Sequence, residues 1–140
     1  MKKMMMSLIL ALMLTLVPSC LFASNFVEIY SDSNYLIYLE TSSIQDQGTY
    51  YQAWTKRVYR GEAKNEESKR YNKKFDHVMV LSAYAKKTKQ DSILAIHVYA
   101  EDGKSIESND FSNLPISWNN IVPDSIGEII IEAVYFFAGK

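Results

Sequence analysis

Cysteine is almost missing from this 140-residue chain. Cys20 is the only one, and it sits in the apolar N-terminal stretch. A domain built from the residues that follow therefore has no disulfide and must fold on packing alone. It also offers no thiolate to a metal or to nucleophilic catalysis. Histidine is nearly as scarce, with His77 and His97 only. The five glycines (Gly48, Gly61, Gly103, Gly127 and Gly139) stand too far apart for a phosphate-cradling loop or a Gly-x-Ser-x-Gly elbow. No carboxylate, His and Cys cluster has metal-site spacing, so no cofactor or metal is expected. After Val17 no apolar run is long enough to span a bilayer as a helix.

The start of the chain reads "MKKMMMSLILALMLTLVPSCLFAS". Lys2 and Lys3 followed by an uncharged apolar stretch and small residues predict a signal peptide over 1–23, cleaved after Ala23. A lipobox ending in Cys20 is the alternative, disfavoured by Pro18. Cleavage after Ala23 leaves 117 residues as a single domain, 24–140, with 13 basic and 16 acidic side chains and a net charge of −3. That balance argues against general nucleic-acid binding.

What the domain has in quantity is β-type sequence. "NFVEIYSDSNYLIYLE" gives two strands split by Ser31-Asp32-Ser33-Asn34, and "TSSIQDQG" is a connector of side chains that bond their own backbone. "TYYQAWTKRVYR" is a long strand. Its alternation puts Tyr50, Trp54 and Val58 on one face, and Tyr51, Ala53, Thr55 and Tyr59 on the other. "GEAKNEESKRYNKK" is the most polar stretch and is expected to be an exposed loop. Strands resume with "FDHVMVLSAYAKK" and "SILAIHVYAEDGKSIES", where Asp102-Gly103 predicts a tight type I′ hairpin turn.

Near the end, Ser125 and Glu128 make a capping box. Ile126, Ile129, Ile130, Ala133, Val134 and Phe137 then recur at helical spacing, with Trp118 expected at the helix entry. The expected fold is α+β: an antiparallel meander of about six strands with one C-terminal helix packed across it.

"YLIYLETSSIQDQG", the strand with Trp54, "VYAEDGKSIES" and above all "SWNNIVPDSIGEIIIEAV" resemble, in that order, the surface-adhesin protein E-like family of exported bacterial proteins. The resemblance implies a sheet-plus-helix domain and a binding role in the cell envelope, the best-known member being an adhesin for host matrix proteins. It also implies a departure. Where many members carry two cysteines that pair, this chain has Tyr71 and Tyr135, so the resemblance places these two tyrosines within contact of each other.

His77 and His97 both fall inside strand patterns, where a structural role is the ordinary one. Asp76 and His77 are adjacent, so in a regular strand they point to opposite faces and form no dyad. An enzyme is not expected. Of the ten tyrosines, Tyr51 and Tyr59 are candidates for an exposed sheet face.

The charge distribution is the one functional hint. From Lys56 to Lys74 eight basic residues stand against Glu62, Glu66 and Glu67, a net +5 in a domain of net −3. Lys56, Arg57, Arg60, Lys69, Arg70, Lys73 and Lys74 are the candidate ligand-binding residues, with Lys86, Lys87 and Lys89 expected at the same end of the sheet. Such a patch suits an acidic partner, a host matrix protein or an acidic polysaccharide. The expected role is a non-catalytic, adhesin-like domain at the cell surface or in the periplasm. The alternative is a periplasmic structural protein that associates with itself or with envelope components.

Overall fold

Alternation of apolar and polar residues builds an antiparallel sheet of six main strands and two short ones. The computed structural model describes residues 25–139, so the expected leader with Ala23 and Cys20 lies outside the described residues. In chain order the elements are β1 (Phe26–Ser31), β2 (Tyr35–Glu40), a 3-10 turn (Thr41–Ser43), β3 (Gln45–Asp46), β4 (Tyr50–Tyr59), α1 (Gly61–Tyr71), β5 (Phe75–Ala85), β6 (Gln90–Ala100), β7 (Ser105–Asp110), β8 (Asn119–Asn120) and α2 (Ile126–Ala138). The sheet runs β1-β2-β4-β5-β6-β7, with β3 added to β4 and β8 to β6. The expected meander with a C-terminal helix is the observed α+β architecture.

One face of the sheet carries the core. Ile37 and Leu39 of β2, Ala53 of β4 and Tyr84 of β5 meet Ile130, Ile131 and Val134 of α2. The helix lies against β1, β2 and β4. Ser125 caps it by accepting from the Glu128 N–H (3.3 Å). Glu128 Oε2 accepts in return from the Asp124 N–H (2.8 Å), one residue earlier than a standard capping box. Such a cap is worth about 1 kcal/mol. The buried stripe is rotated from its expected position: Ile129 is 39% exposed, whereas Ile131 is 0% exposed. Trp118 is not at the helix entry. It packs edge-on against Tyr50 (5.8 Å), on the sheet face away from α2.

The stretch expected to be a loop is the helix α1. Its residues are mostly strong helix formers, and it ends on Asn72 in the left-handed conformation (φ 50°). The Lys73 N–H donates to Ser68 O (3.1 Å) and the Asn72 N–H to Lys69 O (3.2 Å), a Schellman closure. The helix has no apolar stripe and no buried residue. It rests on β5 through Tyr71, stacked on the buried Phe75 at 6.0 Å.

The β6–β7 turn also differs from expectation. Only Gly103 has positive φ (78°) there, and Ala100 and Lys104 close a three-residue loop. This is a turn completed by a left-handed glycine, which lets Asp102 keep an ordinary φ.

Candidate functional site

The seven basic candidates do not form one patch. β4 carries Lys56 and Arg57 on opposite faces, because neighbours in a strand alternate. Lys56 pairs across to Met79 on the face away from α2, whereas Arg57 lines a cleft beneath the start of α2. Arg60 is exposed at the N-cap of α1, donating its N–H to Asn34 O (2.7 Å).

The other four do come together. Lys69 and Arg70 occupy the last turn of α1, where cations favour the helix dipole, and Lys73 and Lys74 follow in its exit. All four are exposed. Lys73 and Lys74 line a cleft of about 640 Å³ against the β6–β7 turn, where Lys104 joins them. Local acids offset part of this charge: Lys64 pairs with Glu101 (2.7 Å), Arg70 with Glu67 (3.6 Å) and Lys104 with Asp102 (3.6 Å). Lys69, Lys73 and Lys74 have no ion-pair partner among the described residues. They are the free positive charge of this end.

Lys86, Lys87 and Lys89 are not part of it. β5 is a single eleven-residue strand, about 33 Å long, and their hairpin is at its far end. Lys86 there pairs with Asp46 (2.6 Å), and Lys89 with Glu128 and Glu132. Tyr71 and Tyr135 likewise lie near opposite ends of β5. Tyr71 stacks on Phe75 at the start of β5, whereas the Tyr135 hydroxyl donates to the carbonyl of Ala85 at its end. The expected contact between these tyrosines is therefore not made.

Tyr51 and Tyr59 belong to the helix-covered face, not to an open one. Tyr51 meets Tyr135 edge-on (6.4 Å) under the Lys86 ammonium (4.5 Å), and Tyr59 packs on Tyr35 (5.1 Å) and Phe75 (4.8 Å). The uncovered face presents other aromatics. His97 stacks on Trp54 (5.5 Å) and its Nδ1 meets Ser108 Oγ at 2.5 Å, while His77 stacks on Tyr99 (4.8 Å). Asp76 and His77 do form a local pair, Oδ2 to Nδ1 at 2.6 Å. A register shift between Phe75 and His77 breaks the alternation that would have kept them apart. Among the described residues no three His, Cys, Asp or Glu side chains come together as a metal site, and no helix is long and apolar enough to cross a membrane.

The cleft that receives Arg57 is a separate site that sequence reasoning missed. It encloses about 440 Å³ between the sheet and the first turns of α2, with Tyr59, Tyr84, Asp91 and Ile93 among its walls. Arg57 Nε is buried and has no hydrogen-bond partner. Burial holds the Tyr84 hydroxyl up at about 12 and raises Tyr59 as well. Burial also lifts Asp91 above the ordinary carboxylate value, against the opposing pull of Arg57.

Because its folded value is raised, the neutral form of Asp91 is the one that favours the fold. That contribution is fully present below about pH 3.8 and is lost as pH rises through the raised value. Asp91→Asn is accordingly expected to resist urea better than wild type at about pH 7 and equally at about pH 3. A variant less stable than wild type at the higher pH would show that Asp91 is needed as an anion.

No curated protein and no solved structure matches the chain. Residues 26–134, from the first strand to the third turn of α2, match the surface-adhesin protein E family. With the sheet and terminal helix in place over that same span, the chain belongs to the surface-adhesin protein E family.

Proposed function

We propose that the protein is an exported binding domain of the cell envelope, adhesin-like and non-catalytic. In this reading it makes contact with an acidic partner, a host matrix protein or an acidic polysaccharide, through the basic end of its sheet. Membership of the surface-adhesin family over residues 26–134 carries the reading. The basic end supplies the contact: Lys69, Lys73 and Lys74 are exposed and without ion-pair partners among the described residues, beside Arg70 and Lys104. Against catalysis, both histidines lie on the open sheet face, each stacked on an aromatic ring, and neither borders the two clefts described.

Two measurements test the reading together. Protease treatment of intact cells should remove the protein, and purified protein should be retained on immobilised heparin in a salt-dependent way. Full protection until the outer membrane is permeabilised would favour the periplasmic structural role. Absence of retention at low salt would remove the basic end as a polyanion contact.

A further inference from the structure

Arg57 is the candidate cation that holds a buried side-chain nitrogen without a hydrogen-bond partner among the described residues. It leaves β4 on the core face and enters the cleft beneath α2, and none of its side-chain nitrogens has a hydrogen bond or ion pair among the described residues. We propose that this cleft binds a monocarboxylate with an apolar body, held at its charged end by the Arg57 guanidinium.

Three observations converge on that chemistry. The first is size and lining. About 440 Å³ lies within the range of small-molecule sites, and Ile37, Ile93, Ile126 and Ile130 give it apolar walls. Ile93 is 44% exposed although β6 is an interior strand, so an isoleucine surface stands open at this cleft.

The second is the arginine itself. Its Nε is buried without a partner, which leaves the Nη N–H groups as the part of the planar guanidinium that can meet a carboxylate through two parallel bonds.

The third is charge balance. Arg57 is the only cation and Asp91 the only acid among the lining residues, so every added negative charge on a ligand is opposed more strongly, and a monoanion is tolerated better than a phosphate dianion. An uncharged alcohol would fill the apolar walls but leave Arg57 unpaired, and an alkylammonium would be repelled by it.

The proposal is independent of the adhesin reading, which rests on other residues at the end of the sheet. Its test is a titration of the purified protein with sodium octanoate, compared with 1-octanol and followed by NMR at the Arg57 Nε–H and the methyls of Ile93, Ile126 and Ile130. Octanoate should shift these resonances saturably and bind more tightly than octanol. Arg57→Met, which keeps the apolar stem, should weaken octanoate by at least about tenfold with the melting temperature unchanged or raised. Octanol binding as tightly as octanoate, octanoate binding undiminished in Arg57→Met, or no saturable shift at these residues would each overturn the proposal. If Arg57→Met does not fold, the comparison of octanoate with octanol on the wild-type protein decides alone.

Discussion

Ile131→Asp is expected to leave no cooperative unfolding transition. Ile131 is 0% exposed and sits among Ile37, Leu39, Tyr84 and Val134. The substitution forfeits about 1.5–3 kcal/mol of apolar burial. It then either protonates an unpaired buried carboxyl, about 1–3 kcal/mol, or buries an uncompensated charge at higher cost. A domain of this size is stable by about 5–15 kcal/mol, and this one has no cystine to hold its unfolded chain together. Ile130→Asp should be less damaging although Ile130 is 2% exposed, because it borders the cleft that holds the Arg57 cation. Ile129→Asp, on the wet side of α2, should melt close to wild type. The check is far-UV circular dichroism during heating. A sharp transition in Ile131→Asp near that of wild type would mean that α2 is not the lid of the core.

Period and punctuation made most of the fold legible. The long β4 showed itself through β-branched and aromatic residues, and α2 through its cap and its isoleucines. What was missed has physical causes. α1 has polar residues all round, so no periodic apolar signal marks it; the available cues were helix propensity and Asn72, one of the few non-glycine types that tolerates the left-handed region. Ile131 escaped because a strict i, i+3, i+4 stripe starting from Ile126 skips it. The contact between Asp76 and His77 depends on a bulge, which alternation cannot anticipate.

The candidate site was legible in kind and not in membership. Charge counting along the chain found the basic segment but treated it as one surface. A single strand residue separates the two faces of a sheet, so Lys56 and Arg57 parted company, and only the turn after α1 gathers the rest. The cleft at Arg57 combines residues from β2, β4, β5, β6 and α2. No local stretch of sequence contains it.

Lys69→Glu, Arg70→Glu, Lys73→Glu and Lys74→Glu combined are expected to abolish retention on heparin at physiological salt. The four stand close together at the end of α1 and in its exit, and all are exposed, so their fields add at one place instead of being spread over the molecule. Each reversal changes the local charge by two, which turns attraction for a polyanion into repulsion. The wild-type interaction should already fade with added salt, since exposed charges are screened over about 8 Å at 0.15 M.

Reversal also places acids at the C-terminal end of a helix, costing about 0.3–1 kcal/mol for each of Lys69 and Arg70. The matching fourfold Gln variant separates the two effects: it should stay folded and still lose most of the retention. Lys56→Glu lies on the open sheet face and Arg57→Met inside the cleft, so both should bind heparin nearly as wild type does. Full retention by the folded fourfold Gln variant would take the basic end out of the binding surface. The open sheet face, with Trp54 and His97 stacked on it, would then be the next surface to substitute.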